Sequence, residues 1–478
     1  MKRRDALRAM SAATIAPFAV AAMTAASNQA NAKAAATSAG KSNVEKIVLG
    51  DSFFLSKTNP IATVETRDLE ALALELVKTP AIIKAKGAAA RRWKIMAGSG
   101  LPAEAWEDFD AKMDEWTLHY LSLALNGDPN YPMVLGHGYG PPHEWFGMKF
   151  SGSRGPGTAE NPDTNYGFVP IDGNARFELH GKRMNPATGY CPFHLVNNLS
   201  MGMNVASLDW RDVDINPDGT FVITISPEPL QTPKGKRRNH LQTTLDVRYL
   251  FIRDCRVDWR QIPNAFRIKR LDPPTAPPLT IEQKTALGAR YIVNDISENF
   301  WFHRMVASVD ANTVAPPETT TFFGGMPIQK LGRGRLNVED DEAFVLTLGP
   351  GGAEYWIVVL YDYWLMSGDY WSRTSTLNNT QSVANADGTY SYVFSIQDPG
   401  VHNWVDTLGK HQPLFMIRWN LLPRTPGGIG GDPSARGELV KLKNLERVLP
   451  AGTQWVTPQE RRQQLAERLN QFHLREVV

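Results

Sequence analysis

Two segments of the chain share one pattern, a tight turn containing Asp-Gly followed by a strand in which apolar residues alternate. In the first, residues 217–219 form the turn, and the apolar face of the next strand consists of Phe221, Ile223 and Ile225. In the second, residues 387–389 form the turn, and the apolar face consists of Tyr390, Tyr392, Phe394 and Ile396. Alternation directly after such a turn is typical of a strand with one buried face. The chain is therefore predicted to contain the same β element twice.

The chain upstream of each turn also matches. A layout of strand, glycine-bearing turn and apolar strand occurs both in ARFELHGKRMNPATGYCPFHLVNN and in EAFVLTLGPGGAEYWIVVLYDYW. We therefore expect two related β units, over residues 151–275 and 335–423. Short strands separated by Gly and Pro turns favour a mainly β fold built from β-sandwich or jelly-roll-like units.

Helices are predicted before the first β unit. The leader and helical region covers residues 33–150, and within it the apolar residues have helical spacing over 66–78 and 103–125. The second of these helices is predicted to end at Asn126-Gly127-Asp128-Pro129, a sequence that stops helices.

Two further helices are predicted after it. A capping box that begins at Thr280 starts a linking helix, which extends to about Val309 within residues 276–334. Residues 424–478 are expected to form a loop and a C-terminal helix, which begins at Thr457 with proline at its first position.

The N-terminus has the composition of an export signal. Residues 1–32 contain a charged start, a stretch of small and apolar residues, and the Ala-x-Ala cleavage motif at Ala30-Asn31-Ala32. The pair Arg3-Arg4 is typical of a twin-arginine signal, whereas a general secretory signal with a chance arginine pair is the alternative. Either route predicts a periplasmic or secreted protein.

Composition narrows the classes of partner. The net charge of +2 and the absence of a basic stripe argue against nucleic acid, and no later apolar run has the length of a membrane span. Cys191 and Cys255 are the two cysteines, so an oxidising compartment permits one disulfide without showing that it forms. A small-molecule ligand is the partner that we expect.

Several stretches resemble a known pair of families. ENPDTNYGFVPIDG and SLDWRDVDINPDGTFVITIS are similar to the first β region of exported proteins from domain-of-unknown-function family 1254. The segment 375–419, with its motif DPGVHNWVDTLG, resembles family 1214, and VKLKNLERVLPAGTQWVTPQERRQQLAERL resembles the end of single-chain members. The resemblance covers about residues 100–475. It implies a jelly-roll-like β fold with helical additions, and no agreed reaction or catalytic residues.

The motif DPGVHNWVDTLG supplies the first set of candidate functional residues. It connects two predicted strands, and long loops on rigid sheets often carry function. His402 and Asp406 are candidates for acid–base catalysis, and Asn403 and Trp404 for hydrogen bonding to and stacking on a substrate. The alternative is a structural loop, in which Asp398-Pro399-Gly400 is a turn and Trp404 packs against the sheet.

A second candidate lies where the first β unit begins. Asp163 is a possible base and Tyr166 a possible acid, and the alternative is a turn that stabilises entry into a strand. Nearby, His137, His143 and Glu144 are weak candidates for a metal site, because imidazole and carboxylate bind zinc or iron but their spacing is not helical.

Arginine, asparagine and aromatic residues form the last set of candidates. Arg373, Asn378 and Arg418 suit an anionic or hydroxylated ligand if they face a cavity, and otherwise pair with nearby groups. The aromatic tract around them favours core packing, with a hydrophobic ligand pocket as the alternative; it consists of Tyr355, Trp356, Tyr361, Tyr363, Trp364, Tyr370 and Trp371.

Three functions follow from these candidates. The first is an exported enzyme that uses acid–base chemistry on a small hydroxylated, glycan-like or aromatic substrate, with Asp163 or Asp406 as base and Tyr166 or His402 as acid. The second is a carrier of a hydrophobic small molecule, and the third is a structural module of the cell envelope. The sequence indicates no particular cofactor and no oligomeric state.

Overall fold

A computed structural model describes residues 53–476 except for short gaps at 57, 99–100, 137–139, 156–158, 201, 231–238, 323–324 and 427. The predicted export signal and most of the leader lie outside the described residues. None of the helices in the described part of the chain is long and apolar enough to cross a membrane.

Four helices pack together at the start of the fold: α1 (Val64–Leu76), α2 (Pro80–Ala97), α3 (Phe109–Leu125) and the linking helix α4 (Ile281–Glu298). The predicted capping box is present, because the side chains and backbones of Thr280 and Gln283 bond reciprocally. Trp93 of α2 donates to the carbonyl of Ile296 at 2.8 Å, which fixes α4 against the N-terminal helices. A short helix, α5 (Phe300–Ala307), continues the linking segment.

The first β unit is a sandwich of two four-stranded sheets. Strands β1 (His143–Trp145) and β2 (Met148–Phe150) form a hairpin before it. The sandwich contains β3 (Thr164–Pro170), β4 (Phe177–Lys182), β5 (Phe193–Val196), β6 (Asn204–Leu208), β7 (Thr220–Ser226), β8 (His240–Gln242), β9 (Tyr249–Cys255) and β10 (Ala265–Arg270). One sheet has the order β10-β4-β7-β8 and the other β3-β9-β5-β6.

The second β unit is also a sandwich. Its strands are β11 (Thr313–Val314), β12 (Lys330–Arg335), β13 (Glu342–Gly349), β14 (Tyr355–Tyr361), β15 (Thr376–Asn378), β16 (Tyr390–Ser395), β17 (Trp404–Asp406), β18 (Leu414–Asn420) and β21 (Ser434–Lys441), with the hairpin β19 (Arg424–Thr425) and β20 (Gly428–Ile429) between the last two. One sheet has the order β17-β16-β13-β21 and the other β11-β12-β18-β14-β15.

The two sandwiches have the same topology. The sheet β10-β4-β7-β8 of the first unit corresponds to β21-β13-β16-β17 of the second. The sheet β3-β9-β5-β6 corresponds to β12-β18-β14-β15, to which β11 adds an extra edge strand. A parallel strand pair recurs as well, since β7 pairs with β8 and β16 with β17 in parallel. The relation between the two units that the sequence predicts is therefore present in their strand order.

The repeated turns agree atom by atom. Asp218 Oδ1 accepts from the backbone N–H and the hydroxyl of Thr220, and Asp387 Oδ1 accepts from the same two groups of Thr389. The asparagine before each turn, Asn216 or Asn385, donates through its side chain to the same threonine hydroxyl. Such local bonds fix the direction in which the next strand starts.

The second unit extends beyond the predicted range of 335–423. Strand β12 begins at Lys330, and β21 lies in the segment predicted as loop. The residues of β21 are mostly exposed, as expected for an edge strand, so the segment lacks the alternation that identifies strands. The unpredicted helix α2 has a similar explanation: its buried face consists of Ile82, Ala85, Ala89 and Trp93, and alanines give a weak apolar signal.

The C-terminal helix α7 (Pro458–Glu476) packs across the loops of both sandwiches, after the short helix α6 (Leu445–Val448). Its predicted cap is present, because Thr457 and Glu460 bond each other reciprocally. Arg461, Arg468 and Arg475 recur every seven residues and are only 4–6% exposed. Their spacing places them on one helix face, which is buried against the body. Short 3-10 segments in the described chain are Ala103–Ala105, Trp210–Asp212 and Leu442–Asn444.

The repeated turns provide a test of the fold. Gly219 and Gly388 have φ values of +84° and +81°, so replacing either with alanine should lower the free energy of unfolding by about 1 kcal/mol. Gly219→Ala should cost more, because its Cβ would lie 3.0 Å from the carbonyl oxygen of Arg183, whereas Gly388 has open space. Chemical denaturation measures both.

Gly87→Ala is the matched control. Gly87 lies within α2, and an added Cβ would meet only the tip of Arg91 at 3.5 Å. Because alanine favours a helix over glycine, this change should stabilise the protein. Equal stability in all three variants would contradict the turn geometry.

Candidate functional site

The motif DPGVHNWVDTLG begins with a turn. Asp398 Oδ1 accepts from the backbone N–H of Gly400 at 2.9 Å, and Gly400 has a φ of +76°. The other carboxylate oxygen of Asp398 accepts from Nε of Arg461 on α7 at 2.9 Å. The beginning of the motif is thus a turn that is paired with the C-terminal helix.

Asn403 and Trp404 bond mainly to the fold. The Asn403 amide donates to the carbonyls of Val383 and Ser391 and accepts from the N–H of Val383. Trp404 donates to the carbonyl of Ser395, and its ring lies 5.2 Å from the guanidinium of Arg461. Both side chains therefore connect this loop to neighbouring segments.

His402 lies in the turn before β17, whereas Asp406 ends β17, so part of the motif predicted as a loop is an edge strand. The His402 side chain is half-buried, and burial followed by the charge of Arg461 lowers its pKa. Asp406 is 1% exposed and pairs with Arg373 at 2.6 Å, so the structure brings together two predicted site residues. Asp406 also accepts from the N–H of Leu408 at 2.8 Å.

Asp163 is completely buried and has three side-chain donors. Its carboxylate accepts from Trp259 Nε1 at 2.7 Å, from the Tyr355 hydroxyl at 2.9 Å and from Asn378 Nδ2 at 2.7 Å. Burial raises the pKa of Asp163, and these three hydrogen bonds oppose the rise. Since Tyr355 and Asn378 belong to the second sandwich, this carboxylate links the two β units.

Tyr166 is connected to Asp163 through Asn161. The N–H of Asn161 donates to the Tyr166 hydroxyl at 2.8 Å, and its side chain donates to Tyr355, which in turn donates to Asp163. The Asn161 side chain also accepts from the N–H of Asp163. The turn predicted at the entry to this strand is therefore an Asx turn formed by Asn161. Burial raises the pKa of Tyr166.

A cavity with a volume of about 60 Å³ lies between the two sandwiches and beside the linking segment. Tyr166 of β3 and Arg418 of β18, both predicted site residues, line it together with Arg253 of β9. Apolar walls come from Phe251, Phe302, Leu331 and Met416, and polar walls from Asn198, Ser200, Asn299 and Gln329. Apolar walls combined with convergent polar groups are a common feature of small-molecule sites.

The two arginines of this cavity occupy equivalent positions in the repeat. Strands β9 and β18 correspond, and LFIRDC (250–255) aligns with FMIRWN (415–420), so Arg253 corresponds to Arg418 and Phe251 to Met416. Their cross-strand neighbours correspond too: Arg253 is opposite Tyr166 on β3, and Arg418 is opposite Leu331 on β12. Three equivalent pairs of residues therefore line one cavity between the repeats.

The charged groups that line the cavity are cationic. Among the described residues they are the guanidiniums of Arg253 and Arg418, and no aspartate or glutamate lines the cavity. Arg418 is held in place by Tyr361, to whose hydroxyl it donates at 2.7 Å, and by a bond to the carbonyl of Ala159. Burial disfavours the charge of Arg418, but the oxygens of Tyr361 and Tyr166 offset this and raise its pKa.

The structure does not bring the candidate metal ligands His143 and Glu144 together at one site. His143 stacks on Phe150 at 4.6 Å, and Glu144 is exposed and pairs with Lys149 at 3.6 Å. His137 lies outside the described residues. No group of three or more His, Cys, Asp or Glu residues in the described part of the chain has the geometry of a metal site. Cys191 and Cys255 are buried free thiols.

Comparisons with known proteins give information on the fold and none on the function. No family model matches this chain, and no curated protein does. The structure is similar to that of an uncharacterised protein from Burkholderia cenocepacia, with a TM-score of 0.62 and 22% identity over 78% of this chain and 99% of that one. A protein from Vibrio parahaemolyticus gives a TM-score of 0.34 and 11% identity over 58% and 89% of the two chains, which is too low to imply a shared fold. The resemblance to families 1254 and 1214 stays a prediction.

Arg253 is the cavity residue that sequence patterns do not reveal. It is a single arginine inside an apolar strand, next to no recognisable motif. Alignment of the two repeats supplies the missing signal, because it places Arg253 at the position of Arg418.

The Asp163 network can be tested by mutation. Asp163→Asn should lower the free energy of unfolding by about 2–4 kcal/mol, because its new N–H group would face three donors. Thermal and chemical denaturation measure the loss. The exposed substitution Asp310→Asn should leave stability unchanged, and equal stability of the two variants would show that Asp163 is not a structural link.

Proposed function

We propose that the protein binds a small anionic molecule, with a carboxylate or phosphate group, in the cavity between its two sandwiches. The observation that supports this proposal is the pair of repeat-equivalent arginines, Arg253 and Arg418, on a cavity without an acidic lining residue in the described chain. Guanidinium groups form strong, directional hydrogen bonds with carboxylate and phosphate. Partial burial strengthens these interactions, since little water screens them.

The size of the cavity limits what enters it. A volume of about 60 Å³ accommodates an anionic group and a few further atoms, so the rest of a larger ligand must lie outside. Phe322 lines the cavity and is 56% exposed, so the cavity reaches the surface there. This arrangement favours recognition of one end of a ligand.

The acid–base enzyme remains a second proposal. Of the four predicted catalytic residues, Tyr166 lines the cavity, whereas Asp163 is fully buried in its hydrogen-bond network. A tyrosine beside two arginines is chemically able to donate a proton to a bound anion. His402 and Asp406 would belong to a separate site near Arg373. We further propose, on the N-terminal sequence, that binding takes place after export.

Anion binding is tested by titration calorimetry at low ionic strength with inorganic phosphate and acetate as probes. Arg253→Gln and Arg418→Gln should each weaken binding by about 10-fold or more, because each removes a charge-assisted contact of about 1.5–3 kcal/mol. Arg418→Lys, which keeps the charge but loses the planar fork, should give an intermediate affinity.

Arg436→Gln is the control. Arg436 is exposed on the edge strand β21, which belongs to the other sheet from β18 and does not line the cavity, so its change should leave phosphate affinity unaltered. Binding of neither probe to the wild-type protein, or equal binding by all variants, would refute the proposal.

A further inference from the structure

A second, larger depression adjoins the cavity. It has a volume of about 290 Å³, and Asn198 and Leu199 line both the depression and the cavity. We call it the tyrosine groove, because Tyr249 of β9 and Tyr291 of α4 form part of its wall together with Asp295. The space that the cavity lacks for a whole ligand is thus present directly beside it.

The lining of the tyrosine groove combines apolar surface with several polar groups. The hydroxyls of Tyr249 and Tyr291 are 3.0 Å apart, so one donates to the other and the second keeps its hydrogen for a further bond. Asp295 lies one helical turn after Tyr291 and offers carboxylate acceptors. Asn197 and Arg248 add amide and guanidinium groups to the wall. Sugar and polyol hydroxyls both donate and accept, and a mixed set of this kind satisfies them.

Charge differs between the two compartments. Asp295 lines the tyrosine groove and Glu298 follows it on the same helix, whereas no acidic residue lines the cavity in the described chain. Burial raises the pKa of Asp295 to about 6, with Glu298 contributing to the rise, so the carboxylate is ionised above neutral pH. Since Arg248 lines the same groove, the charged groups of the groove among the described residues are one carboxylate and one guanidinium, and this balance suits neutral hydroxyls.

A short turn connects the two compartments. The N–H of Ser200 donates to the Asn198 side chain at 2.8 Å, and the Ser200 hydroxyl donates to Asp295 at 2.9 Å. Ser200 lines the cavity and Asp295 lines the groove, so their bond joins the two walls. Pro170 and Ile171 supply apolar surface in the groove, on which the C–H face of a sugar ring packs.

We infer that the ligand is an acidic carbohydrate or polyol, with its anionic group between Arg253 and Arg418 and its hydroxylated part in the tyrosine groove. This inference rests on the proposed binding of an anion in the cavity. It adds a second recognition element, which distinguishes hydroxylated anions from simple or apolar ones.

The test compares five probes by titration calorimetry at pH 7.5, each against the wild-type protein. Glucuronate and glucose 6-phosphate carry the two anion types on a sugar; acetate and inorganic phosphate are the matching anions alone; octanoate is an apolar anion. We expect glucuronate to bind at least 10-fold more tightly than acetate, or glucose 6-phosphate at least 10-fold more tightly than phosphate. The pair that shows the gain identifies the anion as carboxylate or phosphate.

Variants assign that gain to the groove. Tyr291→Phe and Asp295→Asn should each reduce affinity for the preferred sugar by about 5-fold or more while changing phosphate or acetate affinity less than 2-fold. Tyr390→Phe, in the second sandwich, is the matched control and should change neither. Thermal melts of each variant establish that it is folded.

Failures of the two proposals are distinguishable. If simple anions bind in a manner that depends on Arg253 but neither sugar binds more tightly, the acidic-carbohydrate inference is wrong and anion binding stands. Tighter binding of octanoate than of either sugar overturns the inference in the same way. If no anion binds at all, both proposals are wrong.

Discussion

The two sandwiches are joined around a carboxylate that has no contact with water. Asp163 belongs to the first unit, while two of its three side-chain donors, Tyr355 and Asn378, belong to the second. The third donor is Trp259, and the guanidinium of Arg468 on the C-terminal helix lies 4.5 Å from the centre of its ring. A buried charge is tolerated only when hydrogen bonds replace the water that it has lost. The relative placement of the two units therefore depends on keeping all these donors together, and the cavity between the units depends on that placement.

The repeated strand order explains why the cavity contains two arginines. Equivalent strands β9 and β18 each bring an arginine to the region between the repeats, so the cationic character arises twice from one strand position. The surroundings have diverged, since Tyr166 is opposite one arginine and Leu331 opposite the other. Arg418 is fixed by Tyr361 and a backbone carbonyl, and this prepositioning lowers the entropic cost of binding. A repeated strand with differing neighbours thus places two arginines in one cavity with a tyrosine beside the first and a leucine beside the second.

Sequence patterns predicted the parts of this fold whose signals are local. The repeated turns, the alternating strands that follow them and the caps of the helices beginning at Thr280 and Thr457 all have short-range causes, and all are present. The edge strand β21 and the alanine-rich helix α2 gave no such signal, because exposed or small residues hide the periodicity. The site was predicted in part: Tyr166 and Arg418 share a cavity, and Asp163 contacts Asn378, but which distant residues meet is decided by packing between units. Arg253 could be found only by aligning one repeat with the other.

The arginine face of α7 has a consequence for how the chain matures. Arg461 contacts the loop at Asp398, Arg468 lies over Trp259, and Arg475 donates to the carbonyl of Pro162, directly before Asp163. This helix follows both sandwiches in sequence, so synthesis delivers it after everything that it covers. Until it docks, Trp259 lacks the guanidiniums of Arg468 and Arg475 that lie over its ring, next to the bond that it donates to Asp163. A chain whose synthesis stops before this helix would therefore lack its contacts with the loops of both sandwiches, at Pro162 in the first unit and at Asp398 in the second.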